Sequence, residues 1–211
     1  MFGDRGSAGR RLGAELAALD LDGPLVLGIP RGGVLVAEGV GIALQAHVDL
    51  VVTRKVGAPG NRELAVGAIA PGVQVWDEDL LERLAVEPEY LRRTVAAEEA
   101  EIQRRTAAYR RGRSAPDVEG RGVVIVDDGL ATGSTALAVV RWARASGAAR
   151  VLVAVPVGVP VTVAMLAREA EVHAIETPAT FRAVGEWYRD FGQTSDDEVV
   201  AALDRAAERV R

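Results

Sequence analysis

The chain has 211 residues, a formal charge of −5 and a pI near 5.2. That acidic balance argues against a general nucleic-acid coat, whose footprint is a basic face. Cysteine is absent, and the two histidines, His47 and His173, stand 126 positions apart. A disulfide scaffold, a thiolate metal site and a cysteine nucleophile are therefore excluded, and two histidines so far apart argue against a His-rich metal site.

Met1-Phe2-Gly3-Asp4-Arg5 lacks the apolar core of a signal peptide. No window approaches the about 18 apolar residues of a membrane span. The expectation is a cytoplasmic globular protein that forms one domain over residues 1–211. Short Val/Ile-rich runs alternate with helical stretches, the pattern of an α/β fold with a mostly parallel sheet flanked by helices.

In chain order, Leu12, Leu16 and Leu19 mark a first helix, with Ser7 as its cap. Pro24–Ile29 reads as a strand, and Val34–Ala46 as the helix after it, weakened by Gly39 and Gly41. Val48–Lys55 reads as the second strand. The turn-rich segment Val56–Glu63 has the composition of a mobile loop. Leu64–Ala70 shows poor two-residue alternation and is a weak strand candidate, whereas Val73–Trp76 is a clearer one.

Between Asp77 and Arg113 the pattern changes. Asp77 can cap a short helix, and Pro88 stands at the start of a long one. Leu91, Val95, Ile102 and Tyr109 form one apolar stripe on an otherwise charged surface. This reads as a helical hairpin inserted at about 77–113. Arg104, Arg105, Arg110, Arg111 and Arg113 read as its solvated face and end. Gly122–Asp127 is then a buried strand, Ser134–Ser146 a helix stopped by Gly147, and Arg150–Pro156 and Glu171–Glu176 two more strands. Ser195 and Glu198 form a capping box before Val199, Val200, Leu203 and Val210, so a final amphipathic helix is expected.

The chemistry concentrates in Val123-Val-Ile-Val-Asp127-Asp128-Gly129-Leu130-Ala131-Thr132-Gly133-Ser134-Thr135. Four apolar residues place two carboxylates at a strand's C-terminal end, where open parallel sheets bind ligands. A turn of small residues then opens a helix, whose first N–H groups are unsatisfied donors with partial positive charge. Hydroxyls of Thr132, Ser134 and Thr135 add to them, so the turn is an anion site. Carboxylates beside phosphate donors suit a ribose 5-phosphate. A strand–turn–helix with a surface Asp pair would carry part of the same pattern.

All thirteen positions resemble the phosphoribosyl pyrophosphate (PRPP) motif of the type I phosphoribosyltransferases. The resemblance implies a parallel core under a smaller hood, and transfer of 5-phosphoribose from Mg-PRPP with release of pyrophosphate. It implies that Asp127 and Asp128 hold the ribose hydroxyls, with Mg²⁺ carried mainly on PRPP and within reach of both acids. It also implies that Gly129, Leu130, Ala131, Thr132, Gly133, Ser134 and Thr135 hold the 5′-phosphate. Gly28-Ile29-Pro30-Arg31-Gly32-Gly33 is similar to the family's pyrophosphate loop, so Arg31, Gly32 and Gly33 join the site; a glycine turn with a surface arginine is the plainer alternative. Lys55 matches a basic residue that relatives carry near pyrophosphate. The segment 56–63, alone or with the helical insertion, fits the family's lid.

The hood is expected from about residue 178 to 211 together with the N-terminus, near which Asp4 and Arg5 are placed. Phe181, Trp187, Tyr188 and Phe191 cluster in a chain with only nine aromatics. Trp187 and Tyr188 are therefore candidates to stack on the acceptor, against the alternative that they pack the final helix. His47 and His173 read as structural. The leading function is transfer of phosphoribose to a nitrogenous base or similar small acceptor, compatible with a homodimer. The alternatives are a PRPP-binding regulator with little or no catalysis and, with no nucleotide site to support it, a kinase that makes PRPP.

Overall fold

A computed structural model describes residues 1–209. Its strands are β1 (Leu25–Gly28), β2 (Val48–Leu50), β3 (Arg54–Ala58), β4 (Asn61–Ala70), β5 (Val73–Trp76), β6 (Gly122–Val126), β7 (Arg150–Val157) and β8 (Glu171–Glu176). Its α-helices are α1 (Arg5–Leu16), α2 (Gly32–Leu44), α3 (Glu78–Arg83), α4 (Pro88–Arg110), α5 (Ser134–Ala145), α6 (Pro160–Leu166) and α7 (Asp196–Arg209). Val210, assigned to the last helix by its spacing, lies outside the described residues.

Five strands form a parallel sheet in the order β2-β1-β6-β7-β8. β1 and β6 are paired in register from Leu25↔Val123 to Gly28↔Val126, so their C-terminal ends lie side by side. Alternation along the strands divides the interior. Val26, Val124, Val126, Leu152 and Ala154 face a core shared with Leu12, Leu16, Val34, Val40, Val199 and Leu203. Leu25, Leu27, Val123, Ile125, Val151 and Val153 face a second core shared with Leu137, Val140 and Leu166. Both faces are thus covered by helices, which explains the near-continuous apolar strands.

The strands between residues 48 and 76 differ from the sequence reading. Val48–Lys55 is not one strand: the parallel sheet keeps only Val48–Leu50, and residues 54–58 belong to a separate antiparallel sheet, β3-β4-β5. Val73–Trp76 lies in that smaller sheet as well. The weak candidate Leu64–Ala70 is part of its longest strand, which starts at Asn61. Its alternation is poor because the strand is exposed from Asn61 to Leu64 and buried from Val66 onward. Segment 56–63 is consequently a β-hairpin, not an irregular loop. It turns at Pro59-Gly60, where Gly60 has φ of 75°, and its register shifts around Gly57.

Residues 77–113 carry two helices, α3 and α4. Asp77 accepts the Leu80 N–H at 2.9 Å and caps α3. α4 begins at Pro88 and buries Val95, Ile102 and Tyr109. At α1 the cap is Asp4, not Ser7: Asp4 accepts from the Ser7 N–H at 2.6 Å, while Ser7 Oγ accepts from the Asp4 N–H at 2.9 Å. Ser7 is the reciprocal half of a capping box whose cap lies three residues earlier. At α7 the Ser195–Glu198 box forms as its spacing predicts, with Glu198 N donating to Ser195 Oγ at 3.2 Å and Ser195 N to Glu198 Oε2 at 2.7 Å.

Candidate functional site

The last residue of β6 is Val126, so Asp127 and Asp128 emerge at the sheet's C-terminal edge, beside the end of β1. They border a cavity of about 1190 Å³. Its floor is the segment Asp127–Gly133 with Thr135, and Ile29 and Pro30 lie beside it. β3 and the hairpin contribute Lys55, Gly57, Gly60 and Arg62, and α4 contributes Tyr90, Arg93 and Glu98.

The turn after the acids is pinned from below. Leu130 donates its N–H to the Val157 carbonyl and accepts from the Val159 N–H, both at 2.9 Å. Thr162 Oγ1 donates to the Ala131 carbonyl at 2.6 Å. Gly133 caps α5 with φ of 75°, a conformation that suits glycine. Main-chain N–H groups from Ala131 to Thr135 have no protein acceptor among the described residues. The result is a fixed turn with unpaired donors bordering the cavity, where Thr132, Gly133 and Thr135 line the wall while Ser134, 3.4 Å from the Thr132 hydroxyl, does not.

Desolvation is the main cause that pushes the Asp127 carboxyl well above the usual range, and the neighbouring Asp128 charge adds to it. Lys55 and Arg5 oppose the shift, as does the Asp128 N–H, which donates to Asp127 Oδ1 at 2.8 Å. Asp128 is also raised by burial, with Arg5 pulling the other way. The pair is thus a partly buried, electrostatically strained anion cluster that a cation or hydroxyl donors would relieve.

Arg5 is the residue that sequence reasoning placed only near the hood. Its Nε donates to Asp128 Oδ2 at 2.8 Å. No motif signals it, because α1 is far from β6 in the chain and only the tertiary fold joins them. Gly32 and Gly33, the first residues of α2, crowd the same spot. A Cβ at Gly32 would overlap Asp128 Oδ2, and one at Gly33 would lie 2.7 Å from the Val126 carbonyl oxygen and 2.9 Å from Asp127 Cα. Only a bare backbone lets this turn approach the acids.

The remaining candidates divide between the cavity and its surroundings. Lys55 lines the cavity from β3. Arg31, at the N-terminus of α2, stands outside the cavity wall, with Nη1 3.9 Å from Asp196 Oδ1 and both side chains about half exposed. Neither Trp187 nor Tyr188, expected as acceptor-stacking residues, is among the residues that line the cavity. Tyr188 is buried between Phe2 and Phe191, with ring centroids 5.5 and 5.0 Å away, and its hydroxyl donates to the Asp128 carbonyl at 2.6 Å. Trp187 is half-buried in the same cluster, and its carbonyl accepts the Phe2 N–H at 2.7 Å. The aromatics do cluster, packing on one another with one hydroxyl on the Asp128 backbone. From this segment it is Val184 that reaches the cavity. His173 bonds Glu15 at 3.0 Å, joining β8 to α1 in a structural contact.

A family model for the phosphoribosyl transferase domain matches residues 8–188. The chain belongs to the type I phosphoribosyltransferases. Two Mycobacterium tuberculosis proteins, from strains CDC 1551 / Oshkosh and ATCC 25618 / H37Rv, are each 49% identical over 208 residues, and both are provisionally named phosphoribosyl transferases. The match covers 98% of this chain but 47% of each of theirs, so this phosphoribosyltransferase chain spans about half their length. The crystal structure of TT1426 from Thermus thermophilus superposes with a TM-score of 0.82 at 44% identity, over 96% of this chain and 97% of that one. The phosphoribosyltransferase motif of this chain stands at the end of β6, at the centre of the parallel sheet.

Proposed function

We propose that this chain transfers 5-phosphoribose from Mg-PRPP to a nitrogenous base or similar small acceptor and releases pyrophosphate. One observation carries the reading: two adjacent carboxylates and a run of N–H groups without protein acceptors sit on one continuous turn that borders the same cavity. In this reading the donors of residues 131–135 hold the 5′-phosphate, and Asp127 and Asp128 accept from the ribose hydroxyls. Leu130 and Gly129 provide the backbone between the two subsites. Mg²⁺ enters as part of the substrate. The donor set suits that arrangement, because two carboxylates stand together while no cluster of three or more His, Cys, Asp or Glu occurs among the described residues.

The C1–O bond to pyrophosphate breaks with its electron pair leaving on oxygen, and the acceptor nitrogen forms the new bond to C1. Positive charge grows at C1 and the ring oxygen while negative charge grows on pyrophosphate. The carboxylates lie on the ribose side, where they stabilise the cationic sugar. Lys55, and Arg31 once its guanidinium swings from Asp196, are the cations available to the leaving group. No side-chain nucleophile is needed. The hairpin over the cavity would exclude water, which would otherwise capture the sugar cation.

The test is release of labelled pyrophosphate from Mg-PRPP against a panel of purine, pyrimidine and other nitrogenous acceptors. Acceptor-dependent release that disappears in the Asp127→Asn/Asp128→Asn variant supports the reading. Binding of Mg-PRPP without turnover on any acceptor favours a regulatory role, and absence of binding removes the assignment.

A further inference from the structure

We propose that Arg5 is a positioning residue for the sugar: it occupies one oxygen of Asp128 and turns the other toward the ribose. The inference rests on the reading of Asp127 and Asp128 as acceptors for ribose hydroxyls.

Arg5 is held on three sides. Its Nε donates to Asp128 Oδ2 at 2.8 Å, its Nη1 donates to the Gly192 carbonyl at 2.9 Å, and its guanidinium lies 3.8 Å from the centroid of the Phe191 ring. The side chain is only 11% exposed. A planar fork fixed by stacking and two hydrogen bonds dictates the rotation of the carboxylate it meets. The backbone closes the fourth side, since a Cβ at Gly32 would overlap both Asp128 Oδ2 and Arg5 Nε.

The consequence concerns which oxygens remain. Asp127 uses Oδ1 to accept the Asp128 N–H at 2.8 Å. Asp128 uses Oδ2 for Arg5. Asp127 Oδ2 and Asp128 Oδ1 have no protein donor among the described residues, and no side-chain oxygen there is both fully buried and unpaired. Apart from the contact between the two carboxyls themselves, each acid thus keeps one oxygen without a protein donor, and two acceptors are what the vicinal 2- and 3-hydroxyls of a ribose require. Arg5 also offsets one of two adjacent negative charges, with Lys55 acting on Asp127 in the same sense. A hood residue from the first turn of α1 therefore sets the shape of the sugar subsite at the end of β6.

The experiment measures calorimetric binding of ribose 5-phosphate, 2-deoxyribose 5-phosphate and 3-deoxyribose 5-phosphate to wild type, Arg5→Gln and Arg5→Lys, with thermal unfolding as the folding check. Wild type should prefer ribose 5-phosphate to at least one deoxy sugar. Arg5→Gln should weaken ribose 5-phosphate about 10-fold, the loss of one charge-assisted contact, and erase most of that preference. Arg5→Lys should recover part of it, because it restores charge without the fork. Equal weakening of all three sugars, or none, would overturn the proposal and make Arg5 a structural ion pair. A wild-type protein that binds all three alike would instead defeat the reading of the acids as sugar acceptors.

Discussion

The Tyr188 hydroxyl donates to the main-chain carbonyl of Asp128 across 2.6 Å, so a residue 60 positions away fixes the backbone of the acid pair. The ring that carries it is packed between Phe2 and Phe191, and Phe2 is tied to the same strip of chain by its N–H to the Trp187 carbonyl. The N-terminus, the C-terminal segment and the end of β6 thus meet behind the cavity.

Tyr188→Phe keeps the packing and removes one hydrogen bond. It should cost about 1 kcal/mol of stability and weaken Mg-PRPP several-fold without changing the fold. Denaturant unfolding and calorimetry read the two effects. Tyr188→Ala should be far worse, by about 3–5 kcal/mol, because a buried aromatic ring is lost.

Asp127 carries a stability cost in the ligand-free protein. Burial first, and the Asp128 charge second, raise its carboxyl above the ordinary value of 3.8. The folded state then takes up the proton more readily than the unfolded state, so acidification from neutral pH toward about 4 relieves the penalty. Asp127→Asn should therefore raise the melting temperature at pH about 7.5, and the advantage should vanish near pH about 4. A variant less stable than wild type at neutral pH would show that the ionised carboxylate is not strained.

The hairpin β3–β4 is fastened to α4 at two points. Tyr90 Oη donates to the Gly57 carbonyl at 2.8 Å, and Arg54 Nε donates to Glu98 Oε2 at 2.6 Å. Releasing either contact with Tyr90→Phe or Glu98→Gln should raise local opening about 5-fold, equivalent to about 1 kcal/mol. Amide exchange should accelerate within residues 56–66 and remain unchanged in β1 and β6.

Gly33→Ala inserts a methyl group between α2 and the acids, where the Val126 carbonyl oxygen and Asp127 are nearest. Overpacking of this kind costs about 1–3 kcal/mol. Because the strain falls on Asp127, Mg-PRPP affinity should drop more than that stability loss implies. Melting temperature and calorimetry on the same preparation separate the two.

The parallel core was readable because its strands are buried on both faces and its helices carry ordinary caps and stripes. The site's centre was readable for a different reason: Val123 to Thr135 is one uninterrupted stretch of chain, so sequence adjacency and spatial adjacency coincide. The second sheet was misread because its longest strand is split between a buried and an exposed half. That split hides the alternation from Asn61 to Ala70 and makes a hairpin resemble a loop. The bonds that Arg5 and Tyr188 make to Asp128 were not legible, because they exist only after α1 and the C-terminal segment dock. Scarce aromatics pointed to the right segment, but composition cannot tell a ring that faces a ligand from one that braces a turn.

The proposed binding of the Mg-PRPP sugar by Asp127 and Asp128 can be put to one decisive measurement. Its most direct test is calorimetric titration of Mg-PRPP into wild type and Asp127→Asn/Asp128→Asn under identical conditions. Wild type should show saturable one-to-one binding and the variant a loss of at least about 100-fold, as expected when two charge-assisted contacts go. The variant should keep its circular dichroism and melt no lower at neutral pH. Unchanged affinity in a folded double variant would contradict the claim.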